Sequence, residues 1–244
     1  MSVPFYLLAQ ADQVELVFIW NQATPEGKGI IIILVFFSIF AWSVMASKVV
    51  QMRRAKRLNQ LFDLEFRGQP TVMSIFDRRV QVEGCPLFTV YQEGCVELDA
   101  RLRPGGGRER RSGISLKSME HVKRALEGAV AREALKLESG LILLAIAVSG
   151  APFLGLLGTV WGVMSAFSYV AMEAVKGGRA DLATMAPGVA AALVTTVAGL
   201  LVAIPSMFGY TWLVHSLRAF TVNLDNFWQE LVSKMEPEFL CDED

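Results

Sequence analysis

Residues 29–47, GIIIILVFFSIFAWSVMAS, are nineteen consecutive uncharged positions, and two apolar stretches of thirty-three residues each follow, Gly140 to Met172 and Leu182 to Val214. A helix rises about 1.5 Å per residue, so about twenty apolar residues cross a hydrocarbon core of roughly 30 Å. Each stretch therefore reads as a transmembrane helix, and the fold class expected is an all-α membrane protein with three spans. Composition agrees: 53% of the 244 residues are hydrophobic and the mean hydropathy is +0.41, above the usual range for a soluble domain. The net charge of −1 gives no basic surplus for nucleic acid.

Charge placement orients the spans. The first span, 29–50, is followed at once by QMRRAKR, where Arg53, Arg54, Lys56 and Arg57 make the densest basic cluster beside any apolar run. The positive-inside rule puts that end in the cytoplasm and the N-terminus outside. Residues 1–27 hold no Lys or Arg, so a cleaved secretory signal is not indicated. The segment 1–28 is expected to stay outside, with Val14, Val17, Phe18 and Trp20 suited either to a short interfacial helix or to a plain lead-in.

Region 51–138 carries 17 of the 23 Lys and Arg residues and no spanning run, so it is expected to be a cytoplasmic helical region. RPGGGRERRSG, Arg103 to Gly113, interrupts its helical periodicity and reads as a mobile, solvated basic loop. The second span, 139–172, is about 50 Å long if wholly helical. The helical spacing of VKRALEGAVAREALKLES leading into it predicts one helix beginning in the cytoplasm and continuing through the membrane. A short outer turn, 173–181, leads to the third span, 182–214. Segment 215–244 continues it as a cytoplasmic tail with Leu217, Phe220, Leu224, Phe227 and Leu231 on one stripe. Both long helices are thus expected to extend into the cytoplasm, with the C-terminus inside.

Enzymatic chemistry finds no foothold. Cys85, Cys95 and Cys241 make no CxxC pair and fall on the side assigned to the cytoplasm, where thiols stay reduced. His121 and His215 share no ligand spacing with them, so neither a metal nor a cofactor is expected. RPGGGRERR is glycine-rich but lacks the GxxxxGK pattern that cradles phosphate.

The two long spans carry stripes of small residues, the pattern that lets backbones approach in lipid, where the hydrophobic effect does not drive helix association. On the second they are Ala151, Gly155, Gly158 with Thr159, Gly162 and Ala166. On the third they are Gly188, Ala192, Thr195 with Thr196, Gly199 and Ala203. Pro152, Pro187 and Pro205 each free a carbonyl that neighbouring protein must re-satisfy. An isolated threonine in such a helix bonds back to the preceding turn, whereas two threonine-bearing stripes at matching depth suit a polar lining for an ion path.

APFLGLLGTVWGVMSAF together with MAPGVAAALVTTVAGLLVAIPSMFGY resembles the paired signature of the MotA/TolQ/ExbB proton channel family, and the three-span layout with a large first cytoplasmic loop is similar to its TolQ and ExbB branch. The resemblance implies an inner-membrane homopentamer around the single membrane helices of two copies of a TolR- or ExbD-like partner. That partner would carry a membrane aspartate that takes up and releases protons, with the motion passed to the envelope, if need be through a TonB- or TolA-like protein. Family threonines that line the ion path match Thr159 and Thr196. Where many TolQ and ExbB proteins read PGIAEAL this chain reads PGVAAAL, so Ala191 stands at the family glutamate, and Thr195 is a candidate for partly replacing it. A threonine does not titrate usefully, so the resemblance leaves proton carriage to the partner's carboxylate. The competing expectation is a non-conducting scaffold, favoured by Ala191 and opposed by the threonines.

Overall fold

The computed structural model describes residues 24–103, 110–176 and 182–241. Among the described residues there are six helices: α1 Pro25–Arg67, α2 Ser74–Asp77, α3 Pro86–Leu102, α4 Leu116–Glu138, α5 Leu141–Val175 and α6 Leu182–Phe239. Among the described residues there is no strand, only an isolated bridge between Ile114 and Leu240. α1, α5 and α6 are each long and apolar enough to cross a membrane. The expected interfacial helix at Val14 to Trp20, most of the Arg103–Gly113 loop and most of the outer turn lie outside the described residues.

Two compact units divide the chain. The first comprises the described residues of Met1–Met45 and Gly140–Thr211, the second those of Ala46–Ser139 and Trp212–Asp244.

Within the first unit α1 starts cleanly: the Thr24 hydroxyl accepts from Gly27 N at 3.2 Å and Pro25 occupies the opening helical position, where its missing N–H costs nothing. Ile30 and Leu34 of α1 pack with Ala151 of α5 and Ala203 of α6. Pro152 lies inside α5, and Pro187 and Pro205 inside α6, without interrupting either helix.

One expectation fails here. α4 does not run on into the second span: it ends at Glu138, Ser139 turns extended (φ −51°, ψ 134°), and Gly140 takes φ +84° before α5 begins at Leu141. A positive φ is cheap only for glycine, which makes Gly140 a stop that apolar periodicity on either side cannot override. α5 accordingly has no helical continuation before Leu141. α6, by contrast, is a single helix of 58 residues.

The second unit has an aromatic core. Phe62 and Phe66 of α1 meet Tyr91 of α3 and Phe227 of α6, with Phe62 edge-on to Phe88 at 5.6 Å and Phe66 to Phe227 at 5.3 Å between centroids. Met119, Val122, Leu126 and Ala129 of α4 complete it, as do Phe220, Leu224 and Leu231 of α6, the stripe expected from the sequence. The buried Tyr91 hydroxyl donates to Val72 O at 2.6 Å and accepts from Phe76 N at 3.0 Å, tying down the turn around α2. Burial pushes the Cys95 thiol up to about 12 and the Cys85 thiol upward as well. All three cysteines are free.

In its described part the basic loop is exposed at Arg111 and Ser112 and fastened at Arg110 and Ile114. Arg110 is part-exposed but ion-paired: it holds both Asp77 oxygens at 2.5 and 2.9 Å and Asp99 at 2.7 Å, and its guanidinium holds the Asp77 carboxyl below the usual range. Ile114 N donates to Phe239 O, and Cys241 N to Ile114 O, so the loop's C-terminal flank is fastened to the end of α6.

A buried polar residue joins two helices. Asn59 of α1 is 8% exposed, and its Oδ1 accepts from Leu87 N at 3.2 Å and Cys85 Sγ at 3.3 Å, serving as the cap that α3 lacks from its own chain neighbours. Asn59→Ala orphans a buried N–H and is expected to cost about 1–3 kcal/mol, read as a lowered thermal midpoint. Asn59→Asp keeps the acceptor and should recover most of it.

Candidate ion-pathway site

The site belongs to the first unit and is built on the seam where α5 and α6 run antiparallel. A Cβ added to Gly199 would lie 2.6 Å from Ala151 O, one on Gly155 would lie 2.8 Å from Thr195 O, one on Gly162 2.6 Å from the Ala192 Cβ, and one on Gly188 3.3 Å from the Ala166 Cβ. The two small-residue stripes thus face each other within the chain, level by level, and their packing role is met by this contact. Gly158 meets the Thr195 side chain in the same way.

Close approach lets hydroxyls on one helix reach carbonyls on the other. Thr195 Oγ1 is 2.7 Å from Ala192 O and 3.1 Å from Gly155 O, and Thr196 Oγ1 is 3.2 Å from the same Gly155 oxygen. The Gly155 carbonyl therefore has two hydroxyls of the facing helix within hydrogen-bond distance, with the single Thr195 proton shared between it and the nearer Ala192 O. Thr159 Oγ1 donates to Leu156 O at 2.7 Å, one turn back, and lies 3.5 Å from Thr196 Oγ1. Thr195 is 1% exposed and enclosed by the seam, whereas Thr159 and Thr196 are half-buried at its open edge.

The remaining sequence-predicted residues sort by place. Ala191 is buried at 3% exposure, Pro187 and Gly188 are half-buried before it, and Pro205 is half-buried further along α6. Residues 29–47, 141–172 and 185–214 contain no acidic or basic side chain. No cluster of His, Cys, Asp or Glu that could hold a metal occurs among the described residues.

Sequence reasoning missed the Gly155 carbonyl as a shared acceptor and ranked Thr195 as an accessory. A signal existed: Thr195 is three residues after Ala192 and four before Gly199, in the middle of the packing stripe, while Thr196 is one step off it.

A model of the MotA/TolQ/ExbB proton channel family matches residues 100–226, which include all of α5 and the part of α6 that forms this seam. The chain belongs to that family. It is 33% identical over 193 residues to the Tol-Pal system protein TolQ of Pseudomonas aeruginosa, covering 78% of this chain and 79% of that one. It is 29% identical over 202 residues to the biopolymer transport protein ExbB of Xanthomonas campestris, covering 83% and 78%. With TolQ of Haemophilus influenzae it shares 29% identity over 208 residues, 84% and 86% of the two chains. These matches place it in the TolQ/ExbB branch of the family, which is a channel family and not an enzyme family.

Proposed function

We propose that this chain is the inner-membrane subunit of an ion-driven motor, most simply proton-driven, that couples ion flow to work on the cell envelope with a single-span TolR/ExbD-like partner. The observation that carries the reading is the Thr159–Thr196 hydroxyl pair at the open edge of the α5–α6 seam, in spans that hold no titrating acid of their own. A pentamer around two partner helices, N-termini outside and C-termini in the cytoplasm, presents this edge to the partner's membrane carboxylate. A threonine hydroxyl can donate to a carboxylate or accept from a carboxylic acid, so one pair serves both protonation states.

The seam makes that switching cheap. When Thr196 turns its hydroxyl toward the carboxylate, the Gly155 carbonyl still accepts within helix α5, with the Thr195 hydroxyl, shared with Ala192 O, 3.1 Å away, so no buried acceptor is orphaned. Thr195 acts here as a positioning residue for the pair.

Ion flux into liposomes containing this chain with its cognate partner tests the proposal. Thr159→Val with Thr196→Val removes two hydrogen bonds to a charged group and should lower flux about a hundredfold, and a partner lacking its membrane aspartate should give none. Unchanged flux in the double variant overturns the assigned roles. The buried Ala191 at the position of the family glutamate favours a second reading, a non-conducting scaffold, and no flux from an intact, unplugged complex would select it.

A further inference from the structure

The second unit contains a groove of about 750 Å³ between α1 and α6, which run side by side in the same direction there. Its residues recur on one face of each helix: Arg53, Lys56, Gln60, Asp63 and Arg67 on α1, and Trp212, His215, Ala219, Asn223 and Glu230 on α6. The two ends differ in charge. At the far end Arg67 is held by Asp63 at 3.1 Å and Glu230 at 2.7 Å, which closes the groove with compensated charges. At the near end Arg53 and Lys56 have no ion-pair or hydrogen-bond partner among the described residues, and no acidic side chain lines the groove there. His215, Ser216 and Asn223 offer donors that are likewise unpartnered.

Position along the helices decides the ligand. Arg53 follows the nineteen-residue apolar run of α1 by six positions, and Trp212 and His215 flank the end of the apolar run of α6. Trp212 is 49% exposed, the placement of an aromatic ring at the headgroup level. A cationic pocket with a tryptophan at this level matches an anion that carries its own apolar chains.

We propose that the near end of this groove binds the phosphodiester headgroup of an anionic phospholipid, with Arg53 and Lys56 supplying charge and His215, Ser216 and Asn223 supplying hydrogen bonds. Such a site would make lipid composition a determinant of how α1 is held against α6, independently of whether the complex conducts ions.

Native mass spectrometry of the full chain in detergent, titrated with phosphatidylglycerol or phosphatidylcholine, tests it. Wild type should retain phosphatidylglycerol in preference to phosphatidylcholine. Arg53→Gln/Lys56→Gln should weaken phosphatidylglycerol binding about thirtyfold. Arg54→Gln/Arg57→Gln, which removes equal charge from the same cluster outside the groove, should leave it within about threefold. Asn223→Glu, which puts a carboxylate into the groove from α6, should also expel the lipid. Equal losses from the two double variants would mean general charge attraction and overturn the site, as would retention by Asn223→Glu. Displacement of the lipid by millimolar inorganic phosphate would overturn the lipid assignment in favour of a free anion.

Discussion

Gly155→Val should break the α5–α6 seam and lower the thermal midpoint of the purified protein by roughly 6–12 °C, equivalent to about 3 kcal/mol or more. The first added carbon alone would sit 2.8 Å from Thr195 O and 3.0 Å from Thr196 Cα. Both are backbone atoms of a helix, so no rotamer change relieves the clash and the helices must separate. Separation then lengthens the bonds from Thr195 and Thr196 to Gly155 O, which start at 3.1 and 3.2 Å. The same variant should therefore lose ion flux along with stability. Gly150→Ala is the control, since nothing lies within 4 Å of a carbon added there, and the better helix propensity of alanine should make it neutral or slightly stabilising. A Gly155→Val protein that melts with wild type would mean that the seam is not close-packed.

Phe62→Ala is expected to cost about 3–5 kcal/mol. Phe62 is 4% exposed and its ring touches four others, Phe66, Phe88, Tyr91 and Phe227, from three helices. Removing it opens a cavity among rings that are themselves held in place, Tyr91 by hydrogen bonds to Val72 and Phe76, so collapse can recover little. Near-ultraviolet circular dichroism should lose aromatic signal at a lower temperature than wild type, with Phe62→Leu intermediate. A loss under about 1 kcal/mol would show that this cluster does not organise the unit.

Much of this was legible because membrane physics is strongly local. Spans show as runs of uncharged residues, and the Phe220–Leu224–Phe227–Leu231 stripe shows as a helical repeat wherever the helix ends up. The stripes through Gly155 and Gly199 were legible as packing faces too, but not their partner. Small residues announce that something comes close without saying what, and α5 and α6 turn out to use them on each other.

The break at Ser139–Gly140 was misread for a related reason. Apolar periodicity continues across it, and a glycine inside a helical pattern is only a weak stop until its φ is known to be +84°. The Arg110 knot and the Asn59 cap were illegible because each joins residues far apart in the chain, Asp77 with Arg110 and Asn59 with Leu87.

By itself the sequence determined three spans, their small-residue faces, the absence of acids within them and the family to which they belong. The tertiary structure alone decided which threonine is enclosed and which two stand at the edge. That choice depends on the rotation of α6 against α5, a difference of one residue between Thr195 and Thr196. Backbone contact at Gly155 and Gly199 sets that rotation, and no property of either helix taken alone does so.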